Sequence, residues 1–211
     1  MPRFADLTVS AFVDALANSE PTPGGGTAAA VAGAMATSLL MMVAGLARTR
    51  HNVDAEKIAL SEARAALSSV RDRILALADT DSEAYGKVME AFRLPKASDD
   101  QKSTRKAAIQ TATRGATDAP LETLRTVAEA AKLARTVAEY GNPSAASDVR
   151  VALELLEAAS AGATANVEVN LASLTDEAYR QTTASAVIEL TNQITEHAAA
   201  SRGALAPAAA S

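Results

Sequence analysis

Apolar positions recur at three- and four-residue intervals through almost the whole chain. Val9, Phe12, Val13 and Leu16 follow this spacing and predict a short helix over 9–18, capped by Thr8. Pro21 and Pro23 stop it, and Gly24-Gly25-Gly26 turns the chain into an apolar run at 27–47. A third run begins at Val53 or Asp54 and continues to Arg93 through Ile58, Leu67, Val70, Ile74, Leu77, Tyr85, Val88 and Phe92. Leu94-Pro95 ends it, because proline disfavours helix in the residue before it. Ser98 caps a basic helix over 99–115, and Pro120, behind Asp118, is placed to open a separate helix to Glu139. Gly141-Asn142-Pro143 breaks the chain. A helix then runs from Ser144 or Ser147 to Leu171, and a last one over 176–201 follows Thr175 or Asp176. No stretch alternates apolar and polar residues over a strand length. The pattern therefore predicts an all-α, single-domain bundle of six to eight helices over residues 1–203, with a frayed tail at 204–211.

Composition sharpens the kind of core. The chain has 211 residues, 48% of them hydrophobic but only 3% aromatic. Alanine makes up roughly a quarter, so the helices must pack through small side chains. Run 27–47 carries no charge and is long enough to cross a bilayer. Its many Ala, Gly, Ser and Thr residues favour a buried helix of a soluble bundle, with no membrane partner. The 151–172 helix is also poor in charge, and two such helices are hard to hide in one small bundle. A homodimer, pairing through these Ala-rich helices, is the expected solution.

Charge and residue inventory narrow the chemistry. With no Cys and only His51 and His197 as imidazoles, thiol nucleophiles and metal centres are not expected. A net charge of −5 argues against nucleic acid as a partner. The start MPRFADLTVS has no charged-then-apolar leader, so the expected location is cytoplasmic.

Four groups of residues stand out against this background. The Pro23-Gly24-Gly25-Gly26 turn leads into a helix N-terminus, and its glycines permit either close approach to a ligand or a structural tight turn. Asp79, Asp81 and Glu83 lie mid-helix, where Asp is a poor choice; they form either a solvated face or a site for a general base. Asn142, Ser147 and Asp148 surround a helix start, and Asn166 and Asn170 lie one turn apart on an apolar helix, as a polar core network or as ligand contacts. Arg48, Arg50 and His51 end the apolar helix, where they complement its C-terminus or receive an anion.

Taken in order, PTPGGGTAAAVAGAMATSLLMMVAGLA, DTDSEAYGKVMEAFRLPKAS, TDAPLETL, GNPSAASDV and GATANVEVNLASLTDEAY resemble the cyclodeaminase/cyclohydrolase family over roughly residues 7–180. The resemblance implies an all-helical dimer acting on one-carbon tetrahydrofolates, with no permanently bound cofactor. It implies a methenyltetrahydrofolate cyclohydrolase, which adds water and opens the ring to formyltetrahydrofolate. The alternatives are a formimidoyltetrahydrofolate cyclodeaminase or a non-catalytic folate-binding dimer. The family's catalytic carboxylate falls in the segment matching Asp79 to Tyr85, with Asp81 preferred to Asp79. By the same resemblance Pro23 and Gly24 to Gly26 pack against the pterin or its linker, and Asn142, Asp148, Asn166 and Asn170 bond its edge. Arg48, Arg50 or Lys96 would meet the glutamate tail. One departure is Ala47-Arg48-Thr49-Arg50, where many members carry a Thr-x-Gly-Lys-like segment.

Overall fold

Small residues set the spacing of the helices in the computed structural model, which describes residues 3–205. Six helices lie among them: α1 (Val9–Ala17), α2 (Gly25–Ala44), α3 (Asp54–Arg93), α4 (Asp99–Tyr140), α5 (Ala146–Leu171) and α6 (Glu177–Leu205). Two short 3₁₀ turns, Phe4–Asp6 and Pro143–Ala145, complete the regular structure, and no strand occurs among the described residues. The tail expected at 204–211 finishes α6 with its first two residues and otherwise lies outside the described residues.

Contacts fix the directions. Gly26 and Gly33 of α2 and Gly45, which caps its C-terminus, meet Asp81, Ile74 and Arg64 of α3 in reverse order, so the two helices are antiparallel. Gly25 and Ala29 meet Asn166 and Gly162, which makes α5 antiparallel to α2 as well. The core between them consists largely of Ala30, Ala36, Ala130, Ala131, Ala134, Ala159 and Ala163, all without exposed surface, with Leu40, Leu67, Ile74, Leu124 and Leu156 as its bulk. A Cβ added at Gly33 would stand 3.3 Å from both Ile74 and Val127, so that position sets how near α2 comes to α3 and α4. Alone among the described helices, α2 is long and apolar enough to cross a membrane, and 56% of its most apolar window is buried inside the bundle. The α3–α4 pair outruns its neighbours: α2 begins opposite Asp81, so the last twelve residues of α3 project about 18 Å beyond it.

One expectation fails. Pro120 does not open a helix; it is buried inside α4, which runs unbroken from Asp99 to Tyr140. Proline removes the N–H that would bond the carbonyl four residues back, here that of Ala116. Nδ2 of Asn170 in α5 donates to that carbonyl at 2.8 Å. The side chain thus replaces the missing backbone donor, which is why the helix survives its proline. Replacing Asn170 by Leu is expected to lower stability by about 1–3 kcal/mol by leaving the carbonyl unpaired. In a Pro120→Ala background, where a backbone N–H returns, the same replacement should cost measurably less in denaturant unfolding.

Candidate functional site

Where α2 begins, Asp81 lies directly on its backbone. A Cβ added at Gly26 would stand 2.6 Å from the carboxyl carbon of Asp81, so only glycine lets the two helices bring this carboxylate against the main chain. Positive φ plays no part, since no glycine of the described residues adopts it. Close approach is therefore what the glycine turn provides, at Gly26 in particular. Gly24 is extended and caps the helix, and Thr22-Pro23 is a cis peptide with Pro23 buried.

Thr27 fixes the carboxylate. Its hydroxyl, fully buried, lies 3.2 Å from Oδ2 of Asp81, 3.3 Å from the Ala78 carbonyl oxygen and 3.1 Å from Oγ of Ser82. A hydroxyl has one proton to give, so donation from Ser82 to Thr27 leaves that proton for Asp81 or Ala78. Burial pushes the Asp81 carboxyl above its ordinary value, against the opposing hydrogen bonds from the Thr27 side chain and backbone. Among the described residues no cation stands within ion-pair distance of Asp81.

The neighbouring acids are differently engaged. Asp79 accepts from the Phe4 backbone N–H at 2.7 Å and from Nε of Arg3 at 3.2 Å, so it holds the N-terminal segment on α3. Phe4 then packs edge-on against Phe12 of α1, with ring centres 6.5 Å apart. Glu83 lines a cavity of about 580 Å³ between α3 and α4, on the far side of α3 from Asp81.

The remaining candidates separate into three places. Asn166 stays at the glycine turn, its Nδ2 3.5 Å from where a Gly25 Cβ would sit, while also donating to the Gly162 carbonyl at 2.8 Å. Asn170 lies nearby, but its amide is used on Ala116. Arg48, Arg50, Asn142 and Asp148 are at the opposite end of α2, about 28 Å along its axis. There, Arg50 donates to the carbonyls of Ala138 and Ala204 at 2.9 and 3.0 Å, and Asn142 caps the turn that starts α5 by accepting from Ser144 N–H. Asp148 sits in the first turn of α5 and Arg48 is exposed. Lys96 is exposed at the tip of the α3–α4 hairpin, beside Lys102, Arg105 and Lys106. A single chain therefore does not gather all these residues around Asp81.

Sequence reasoning missed a cluster at that far end. Glu56 is buried, and its oxygens accept from Thr49 Oγ1 at 2.5 Å and His51 N–H at 2.9 Å, with His51 Nδ1 at 2.6 Å. Burial alone would raise its pKa, but these hydrogen bonds win and hold it at about 2. The signal was available: Glu56 is the third residue of α3, where a glutamate turns back to the N–H groups of the preceding loop.

Comparison with known proteins places this arrangement. The family model for formiminotransferase-cyclodeaminase matches residues 8–189. The chain is 38% identical to methenyltetrahydrofolate cyclohydrolase of Methylorubrum extorquens over 82% of its own length and 84% of the relative's. It is 30% identical to formimidoyltransferase-cyclodeaminase of Gallus gallus over 86% of its length, and spans about a third (34%) of that longer protein. Formiminotetrahydrofolate cyclodeaminase of Thermotoga maritima superposes with a TM-score of 0.85 at 30% identity, over 95% of this chain and 96% of that one.

The carboxylates of Asp81 and Glu56 should respond oppositely to pH. Asp81, raised on folding, destabilises the fold as pH climbs from 3.8 through its folded value, so Asp81→Asn should raise the unfolding midpoint at neutral pH and not below 3.8. Glu56, lowered on folding, contributes stability above pH 4.5 that fades as pH falls through about 2. Glu56→Gln should therefore lower the midpoint at neutral pH and lose that effect in strong acid. Thermal unfolding of both variants across the acid-to-neutral range checks the signs.

Proposed function

The chain belongs to the formiminotransferase-cyclodeaminase family, and from that premise we propose that it is a one-carbon tetrahydrofolate enzyme, a methenyltetrahydrofolate cyclohydrolase. The observation that carries the reading is a half-buried carboxylate without a cation, at a glycine turn, in a chain 38% identical to a named cyclohydrolase over most of both lengths. The methenyl group is a delocalised cation between two nitrogens, the partner such a carboxylate lacks.

The chemistry follows. Water attacks the methenyl carbon, and Asp81 takes its proton as the new C–O bond forms. Asp81 then returns that proton to the departing ring nitrogen as its C–N bond breaks. The hydroxyl proton is released as the carbonyl of the formyl group forms. One positive charge on the substrate is thus exchanged for one free proton. Burial of Asp81 suits both halves, since a raised pKa makes the carboxylate a better base and keeps its proton available for return. Thr27 orients the carboxylate, while Gly24 to Gly26 and Asn166 border the space where the substrate would lie.

A second reading, formimidoyltetrahydrofolate cyclodeaminase, is favoured by the Thermotoga maritima structure, at 30% identity over nearly the whole chain. There the second folate nitrogen adds to the formimidoyl carbon, and the tetrahedral carbon expels ammonia to leave the methenyl cation. Two mixtures separate the readings. With methenyltetrahydrofolate, loss of methenyl absorbance above the buffer rate is the expected result. With formimidoyltetrahydrofolate, appearance of that absorbance would give the second reading instead, and no change in either mixture would remove both.

The working form is a homodimer built on the outer face of α2. Val31, Met35, Leu39 and Met42 form an apolar stripe there, with Leu75 of α3 and Val151 and Leu155 of α5 beside it. Met35 is 54% exposed and Val151 51%, unusual for residues of their size at the centre of a bundle face. Because the chain has no Cys, Ser38→Cys at the middle of this stripe gives a clean reporter. A disulfide-linked dimer should form on mild oxidation; a persistently monomeric product would contradict the dimer.

A further inference from the structure

Three groups surround the Thr27 hydroxyl, which has one hydrogen to give. Oδ2 of Asp81 lies at 3.2 Å, the Ala78 carbonyl oxygen at 3.3 Å and Oγ of Ser82 at 3.1 Å, around a side chain with no exposed surface. Their needs differ. Ala78 and Ser82 stand one turn apart in the unbroken α3, so the Ala78 carbonyl already accepts the Ser82 backbone N–H. Ser82 Oγ carries a hydrogen of its own and, among the described residues, bonds only to Thr27. Oδ2 belongs to a carboxylate that has lost water and gained no cation. Were Thr27 to donate to Ser82, its lone pairs would face both other oxygens, one of them charged. The arrangement that avoids this runs from Ser82 to Thr27 to Asp81, each bond polarising the next.

The same neighbours serve the protonated acid. With a proton on Oδ2, Asp81 donates to Thr27, and the Thr27 hydrogen turns to Ala78. Thr27 then gives one bond and accepts two, from Asp81 and from Ser82, which is the full capacity of a hydroxyl. Only hydrogens move between the two arrangements.

We propose that Ser82 is a positioning residue for the reaction: by donating to Thr27 it commits the Thr27 hydrogen to Asp81 while the carboxylate is the base, and lets it turn to Ala78 while Asp81 holds the proton. The role in turnover rests on the cyclohydrolase reading; the hydrogen-bond chain does not. No charged side chain among the described residues competes with it. On α3, Asp79 is engaged with Arg3 and the Phe4 N–H, and Glu83 points to the far side. No charged residue occurs in α2, and α5 brings the neutral Asn166 amide, with Glu168 exposed. Arg114 and Asp118 of α4 are engaged with Asp176 and Tyr179. Burial and Thr27 are thus what act on the carboxyl.

The test follows the midpoint of Asp81 titration in two ways. One is the acid limb of kcat/KM for methenyltetrahydrofolate. The other, free of turnover, is the carboxyl carbon-13 resonance that disappears in Asp81→Asn. Ser82→Ala should move both midpoints to higher pH, because the bond that favours the carboxylate weakens. Thr27→Val should move them further the same way, and the double variant should match Thr27→Val alone. Ser82→Thr, which keeps the hydroxyl, should return the wild-type midpoints. A downward shift in Ser82→Ala would mean that Ser82 draws the hydrogen away from Asp81, and would overturn the proposal. So would no shift, a further shift in the Thr27→Val background, or a Ser82→Thr variant that behaves like Ser82→Ala. The expected resonance shifts in a protein with no turnover would place the error in the cyclohydrolase reading and leave the hydrogen-bond chain standing.

Discussion

The contact on which the site depends is the Asp81 carboxylate against the backbone of Gly26. A side chain at residue 26 would occupy the space of that carboxyl group, so the glycine is what allows α2 and α3 to close over a charged residue. The same closeness is repeated along α2, at Gly33 against Ile74 and at Ala29 against Gly162. Alanine-rich packing therefore has a consequence beyond economy of volume. It brings main chains near enough that a short acidic side chain is half-buried between them, its pKa raised by loss of water and its position held by Thr27. Burying a carboxylate without a counter-charge costs stability, and a cationic substrate is the natural compensation.

Much of the fold was legible from periodicity. α1, α3 and α5 begin and end within two residues of where the apolar spacing and the breaking prolines put them, because those signals are local. Pro120 misled because its compensation is not local. The amide that replaces its missing N–H belongs to Asn170, fifty residues further on, and single-helix rules contain no such partner. The same contact explains why Asn170 reads in sequence as a ligand residue: a buried amide needs a partner, and here the partner is a backbone carbonyl.

The site was legible only in part, for a geometric reason. Asp81, Gly26 and Asn166 lie together because α2, α3 and α5 each pass through one end of the bundle. Arg48, Arg50, Asn142 and Asp148 belong to the other end; the apolar run already separated the arginines from the glycine turn, but spacing along the chain does not reveal that α5 runs antiparallel to α2 and so starts at that far end. Asp79 and Asp81, two residues apart, diverge because the helix turns about 200° between them, one toward the N-terminal segment and the other toward α2. Motif order thus identified the family, while the division of labour among its polar residues required the folded chain.

The account's central claim is that one half-buried carboxylate, that of Asp81, carries the proton transfer. The direct test compares Asp81→Asn with wild type for turnover of methenyltetrahydrofolate and, separately, for equilibrium binding of the formyl product, which lacks the methenyl cation. A loss of about 10²–10⁴-fold in turnover with product affinity within a few-fold of wild type is the predicted result. Turnover within a few-fold of wild type, or an equal collapse of both quantities, would contradict it.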